Sequence, residues 1–268
     1  MTPFYQDETT ALYCADNREV LSALEDKSVD HVITDPPYSE HTHAKQWIGH
    51  ALTSEGAPRC STNFKELSFA AITNEQIARF TSECARLSRR WSLIFCDLES
   101  IVDWREAVQR VGLDYVRACV WDKVDSAPQF TGDRPASSAE AFICAHPKGR
   151  KAWNGGGRRN VFRHAVNGSE SGPKQHPTQK PIALMREMIA LFTDAGDLVL
   201  DPFMGSGSTG VACAIECRRF MGIELSEEYC EVAKARILRA KGVPHDPPKS
   251  IRRQIETPLF AEPISSCG

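Results

Sequence analysis

Asp35-Pro36-Pro37-Tyr38 follows a short apolar run, Val32 to Thr34, and sets an acid, two prolines and an aromatic ring side by side. Each proline fixes φ near −65° and carries no N–H, so the carbonyls of this corner face outward without competing donors. The corner therefore offers hydrogen-bond acceptors beside a flat ring. An isolated Pro-Pro is also common in plain strand-ending turns, so the four residues alone do not decide. A second group lies far along the chain, where Asp201-Pro202-Phe203-Met204 leads into Gly205, Gly207 and Gly210. These glycines satisfy G-x-G-x-x-G, and Glu224 stands about twenty residues on, as in a dinucleotide-binding unit. A carboxylate and an aromatic ring, however, occupy the place where a pyrophosphate would want bare backbone amides, so the turn suits a ligand bearing positive charge. A P-loop is excluded because Val211 stands where the lysine would be.

The elements that must hold these groups alternate between strand and helix. Asp16 to Glu19 reads as a helix start with Val20, Leu21 and Leu24 on its apolar face, and Thr73-x-x-Gln76 opens a helix carrying Ile77, Phe80, Cys84 and Leu87. The runs 91 to 97, 115 to 121 and 140 to 145 read as buried strands. Pro181 suits the first helical position, Ile182, Met185, Met188, Ile189 and Phe192 recur at helical spacing, and Gly196 is the predicted stop. Residues 198 to 216 form a strand, glycine turn and helix, followed by a strand over 218 to 225. Too few residues follow Gly210 to complete a sheet around that unit, so most of its neighbouring strands are expected from earlier in the chain. Residues 39 to 70 are predicted as a long polar loop, 147 to 175 as a flexible insertion, and 243 onward as a proline-rich tail.

Composition narrows the class. At 268 residues, 41% hydrophobic and 25% charged, the chain can bury a large core. It lacks an apolar run of membrane-spanning length and a signal-like start, so a soluble, cytoplasmic protein is expected. Its ten cysteines include no C-x-x-C pair and sit in apolar surroundings, which predicts buried thiols. His41, His43 and His50 lie near Cys60, but the spacing fits no zinc signature, and no metal is expected. A net charge of −3 argues against non-specific coating of nucleic acid while leaving room for a local basic face.

Four motifs in order, DPPY at 35–38, HPTQKP at 176–181, DPFMGSGSTG at 201–210 and GIEL at 222–225, give the chain its resemblance to the β-class amino-methyltransferases of DNA, across roughly residues 10 to 240. The resemblance implies an α/β fold: a permuted, mostly parallel seven-stranded Rossmann-like sheet with helices on both faces. Residues 1–146 would be the catalytic half, 147–175 a small target-recognition insertion, 176–242 the cofactor-binding half and 243–268 a tail. It implies S-adenosylmethionine as cofactor, double-stranded DNA as partner, and a homodimer. The implied activity is methyl transfer to N6 of a flipped-out adenine. Cytosine N4 is the nearest rival, although relatives acting on cytosine more often carry Ser or Thr in place of the acid. By the same resemblance Asp35 and the Pro36 carbonyl accept the two N–H bonds of the target amine, Pro37 fixes the corner, and Tyr38 stacks on the base. Asp201, Phe203, Gly205, Gly207 and Ser208 would surround the methionine part of the cofactor, and Glu224 its ribose. Asp16 would meet its adenine, a place an ordinary helix cap explains equally well. Thr178 and Lys180 would meet its carboxylate. An inactive DNA-binding module and a nicotinamide enzyme are the readings from other classes.

Contact with DNA is read from charge. Lys148, Arg150, Lys151, Arg158, Arg159 and Arg163 fall in a stretch without a single acid, with Trp153 and Phe162 as stacking or wedge groups. A solvated loop is the plainer explanation. The insertion is short, which implies a short or degenerate target site.

Overall fold

The computed structural model describes residues 1–38, 72–128, 132–166 and 179–243. Nine strands form one sheet among these residues: β1 (Tyr5–Gln6), β2 (Thr10–Cys14), β3 (His31–Thr34), β4 (Ser92–Cys96), β5 (Asp114–Asp122), β6 (Ala139–His146), β7 (Val161–Arg163), β8 (Leu198–Asp201) and β9 (Arg219–Glu224). Their order across the sheet is β1-β2-β9-β8-β3-β4-β6-β5-β7. The sheet thus has nine strands where seven were expected, and β2 is one that no sequence signal had placed. β1 and β7 are short additions at the two edges. Pairing is parallel from β2 through β9, β8 and β3 to β4, and again between β5 and β7, while β6 runs antiparallel to both β4 and β5.

Helices cover both faces, which is why β3 and β4 are buried along their whole length and β8 along all but its first residue. On one face lie α1 (Asn17–Ala23), α2 (Asn74–Leu87) and α3 (Ile101–Arg110), packed on Val32, Ile94, Ile143, Leu200 and Ile223. On the other lie α4 (Ile182–Phe192), α5 (Ser208–Ile215) and α6 (Glu227–Ala240), packed on Ile33, Leu93, Phe95, Phe142 and Val199. Neighbours in sequence, Val32 with Ile33 and Leu93 with Ile94, thus serve opposite cores, as the two-residue period of a strand requires.

The predicted capping box at Thr73 and Gln76 is formed in both directions, at 2.8 and 3.3 Å. Asp16 caps α1 through the Arg18 N–H rather than in a box with Glu19. Pro181 is the residue before α4, and that helix ends at Phe192, ahead of Gly196, where the Thr193 hydroxyl donates back to the Ile189 carbonyl at 2.7 Å. The segment expected to be a flexible insertion contributes β7, which hydrogen-bonds to β5 and buries Phe162. Cys84, Cys96, Cys119, Cys144, Cys213 and Cys230 are free and buried, as predicted; Cys14 is free but only half-buried, and Cys217 is disulfide-bonded. His41, His43, His50, Cys60, Thr178 and the chain beyond Val243 lie outside the described residues. No described helix is long and apolar enough to cross a membrane.

Strands β3 and β8 are parallel neighbours, and the next described helices after them, α2 and α5, lie on opposite faces of the sheet. That arrangement opens a crevice beyond their carboxyl ends, the usual ligand position in an open α/β sheet. Asp35 and the glycine turn flank it.

Candidate active site

The acid corner is built at the end of β3. Asp35 Oδ2 accepts from Lys180 Nζ at 2.5 Å, while Asp35 Oδ1 is buried and has no hydrogen-bond partner. The same ammonium donates to the Tyr38 hydroxyl at 3.1 Å and lies 3.0 Å from Glu140 Oε2. Tyr38 in turn donates its O–H to Glu140 Oε2 at 2.5 Å, and Lys123 pairs with Glu140 Oε1 at 2.5 Å. Phe95 lies under the ammonium at 4.9 Å. The result is an alternating chain of charge, Asp35, Lys180, Glu140, Lys123, in which each buried ion faces an opposite one. Burial would raise the Glu140 carboxyl, but Lys180 and Lys123 outweigh it and bring it down to about 2. Burial and then the Asp35 and Glu140 charges push the Tyr38 phenol well up, so it stays a donor. Asp35 itself is raised by burial and by Glu140, and Lys180 works against both. Glu140 and Lys123 were not foreseen. The one available signal was an acid heading the apolar run of β6.

The glycine corner is built between β8 and α5. Gly205 and Gly207 have φ of +49° and +79°, which residues with a Cβ rarely adopt. A Cβ at Gly205 would meet nothing within 4 Å, so the turn borders open space there. Glu224, at the end of β9, accepts from the Gly205 N–H at 3.1 Å and the Ser226 N–H at 2.9 Å. Beside it Leu225 is 74% exposed, a large apolar side chain at the same rim. Helix α5 starts at Gly207 without a side-chain cap, and the Ser208 hydroxyl is buried without a partner. These groups fit a ligand with an anionic end and a vicinal diol: uncapped amides and an orphaned hydroxyl for the first, a carboxylate with spare lone pairs for the second.

Asp201 does not join them. Its oxygens accept from Thr34 Oγ1 at 2.7 Å, Thr209 Oγ1 at 2.6 Å and the Phe203 N–H at 3.1 Å, which stitches β8 to β3 and to α5. With no cation among these partners, burial raises its carboxyl to about 6. Phe203 stands edge-on to Phe80 at 5.4 Å. Asp16 follows β2, which is paired with β9 through Cys14 and Glu224, so it shares the Glu224 rim, yet its carboxylate is occupied by Arg18. Lys180, expected at the cofactor, is paired with Asp35 and Glu140.

The basic segment is split by the sheet. Lys148, Arg150 and Lys151 follow the end of β6, which lies beside the start of β4 and so at the edge away from Asp35. Lys151 is bound to Asp114 at 2.9 Å, Arg158 is paired with Glu187, and Arg163 with Asp122 at 3.0 Å. Arg159 is exposed, and Arg163 closes β7 on the Asp35 edge. Neither aromatic residue can act as a wedge. Phe162 is 1% exposed against Phe142, and Trp153 packs on Phe192 with its indole N–H on the Gly156 carbonyl at 2.8 Å.

Known proteins resemble this chain in sequence and fold. The N6_N4_Mtase family model, described as DNA methylase, matches residues 29–235. The Type II methyltransferase M2.LlaDCHI of Lactococcus lactis subsp. cremoris is 27% identical over 255 residues, covering 88% of this chain and 91% of that protein. The crystal structure of the M1.HpyAVI-SAM complex superposes with a TM-score of 0.62 at 29% identity, covering 85% of this chain and 99% of the other. The cytosine-N4-specific PvuII DNA methyltransferase shares the fold, with a TM-score of 0.63 at 18% identity over 88% of this chain and 89% of its own.

Proposed function

The chain belongs to the N6/N4 DNA methylase family, S-adenosylmethionine-dependent DNA methyltransferases, and from that premise we propose that it methylates N6 of an adenine flipped out of duplex DNA. The observation that carries the reading is Asp35 Oδ1, a buried acceptor without a partner at the crevice that the glycine turn also borders. The acid itself favours adenine, since relatives acting on cytosine more often carry Ser or Thr at this corner.

An exocyclic amine is a poor nucleophile because its lone pair is delocalised into the ring. Asp35 Oδ1 and the Pro36 carbonyl accept its two N–H bonds and favour a tetrahedral nitrogen with the lone pair directed across the crevice. The Tyr38 ring stacks on the extruded base, which offsets part of the few kcal/mol that flipping costs. S-adenosylmethionine supplies the methyl group: the nitrogen lone pair forms the N–C bond while the S–C bond breaks and its electrons return to sulfur. The nitrogen then carries one proton too many, and the N–H held on Asp35 Oδ1 passes its proton to that carboxylate, which returns it to solvent. Positioning provides most of the acceleration in such a displacement.

On the cofactor side Glu224 holds the ribose hydroxyls, Gly205 admits the chain close to the ligand, and Ser208 with the first turn of α5 holds the carboxylate. Phe203 flanks the methionine part, Asp16 lies at the adenine rim, and Thr178 is assigned by its motif alone. Arg159 and Arg163 are the DNA-contacting part of the basic segment.

The test is transfer of labelled methyl groups to duplex DNA, followed by nucleoside analysis. Label is expected in N6-methyldeoxyadenosine, and none with Asp35→Ala, which binds S-adenosylmethionine like the wild type in calorimetry. Label in N4-methyldeoxycytidine overturns the base assignment; an unlabelled DNA overturns the activity.

A further inference from the structure

Resting on that reading, we propose that Lys180 is a positioning residue for Asp35, and that Gln179 and Lys180 form a clasp joining the acid corner to the glycine corner. An ammonium has three N–H bonds, and Lys180 spends them on Asp35 Oδ2, Glu140 Oε2 and the Tyr38 hydroxyl, at 2.5, 3.0 and 3.1 Å. No donor is left for a cofactor carboxylate. Glu140 anchors Lys180 as a second carboxylate, and Lys123 fixes Glu140 in turn. With Oδ2 occupied in this way, Oδ1 is the one oxygen of Asp35 left to receive the target amine.

The other half of the clasp is the preceding residue. The Ser206 hydroxyl, between the two left-handed glycines, donates to Gln179 Oε1 at 3.3 Å. Arg236 of α6, 1% exposed and with no carboxylate partner among the described residues, clamps Ser206 by its carbonyl at 2.5 Å and its hydroxyl at 2.9 Å. Two adjacent residues therefore grip the two corners whose separation decides an in-line transfer, and both are buried.

Asp35 is faced by Lys180, Glu140 and Tyr38, with Cys96 and Asp201 further off, so its ionisation depends on which of the first two remains. Lys180→Gln removes the stabilising cation and raises the Asp35 carboxyl. Glu140→Gln removes the repelling anion and lowers it. The acidic limb of kcat is expected to move up by about one pH unit or more in the first variant and down in the second. The kcat of Lys180→Gln is expected to fall about a hundredfold, as for a misplaced reacting group. Its Kd for S-adenosylmethionine, measured by calorimetry without DNA, stays within about threefold of wild type, and Lys180→Arg restores the limb.

A carboxyl-labelled NMR titration of Asp35 reads the same two opposite shifts in the free protein, whatever the reaction. Loss of cofactor affinity in Lys180→Gln with an unmoved limb puts Lys180 on the cofactor and overturns the proposal. Shifts in the same direction for both variants, the mark of general loosening, overturn it too. A wild type that leaves DNA unlabelled overturns the function instead, and the titration still judges the clasp.

Discussion

Asp201 shows how burial can turn a motif residue from ligand contact to scaffold. Its carboxyl sits among hydroxyls and an amide, 3% exposed, and titrates at about 6 against 3.8 for a free aspartate. A folded-state pKa above the unfolded one means that the native protein holds this proton more tightly. Its contribution to stability is therefore fully present below the unfolded value and lost as pH rises from about 4 to about 6. The loss amounts to at most about 3 kcal/mol for a shift of this size. Asp201→Asn keeps the shape without the charge. Urea unfolding at pH 4.5 and pH 7.5 is expected to show a smaller fall for Asp201→Asn than for wild type; equal falls would mean the charge is already compensated. Glu224 behaves differently, because its carboxylate accepts only from backbone amides and stands at an open rim. Glu224→Ala is expected to weaken S-adenosylmethionine binding by about tenfold or more, on the scale of two charge-assisted hydrogen bonds, with folding stability little changed. Calorimetry on the variant decides this.

At the scale of elements, the two left-handed glycines do different work. A Cβ on Gly207 would lie 2.8 Å from the Ala233 Cβ, so α6 approaches the turn as closely as a missing side chain allows. Gly207→Ala combines backbone strain with overpacking and is expected to cost about 2 to 4 kcal/mol of unfolding free energy. Gly205→Ala meets no neighbour, so only the strain of about 1 kcal/mol is expected, with a larger loss in cofactor affinity than in stability. Chemical unfolding and calorimetry of the two variants separate the roles. Most elements flanking these turns were legible in the sequence. β3, β4, β5, β6, β8 and β9 announce themselves as largely apolar runs, α1 and α2 by caps and spacing, α4 by its proline and spacing, and α5 by the glycine turn that precedes it. β7 was hidden because three residues set among glycines and arginines show no period, and it is pairing with β5 that buries Phe162. α6 was hidden by Arg236, a charge in the middle of its buried stripe. α3 shows Trp104, Ala107 and Val108 at helical spacing but opens at Ser100 without a side-chain cap bond. The motif residues of the site were legible too, while their partners were not. Nothing local in the chain brings Lys180 and Glu140 to Asp35; the sheet order does.

The whole molecule sorts its charge by the direction of its strands. Asp35, Glu224 and the glycine turn lie beyond the carboxyl ends of parallel strands, and the proposed function requires DNA to approach that edge to deliver a base to Asp35. Asp114 at one end of β5 pairs with His146, next to Lys148 and Arg150, while Asp122 at the other end pairs with Arg163. Those ends are separated by the length of a nine-residue strand, roughly 25 Å at about 3.3 Å per residue. Exposed charges are screened over about 8 Å at physiological salt, so Lys148 and Arg150 are too remote to steer or hold a duplex seated at the active edge. Arg163 is 71% exposed there, and its Asp122 partner is itself at the surface, so the pair is readily exchanged for a phosphate. Charge reversal of Lys148 and Arg150 together is therefore expected to leave the Kd for duplex DNA within about twofold. Arg163→Glu is expected to weaken binding several-fold and to reduce the slope of log Kd against log salt by about one phosphate contact. Fluorescence anisotropy over a salt series measures both. A large effect from the Lys148 and Arg150 pair would mean that the duplex wraps round the sheet to its far edge, and the single-edge docking derived from strand direction would have to be abandoned.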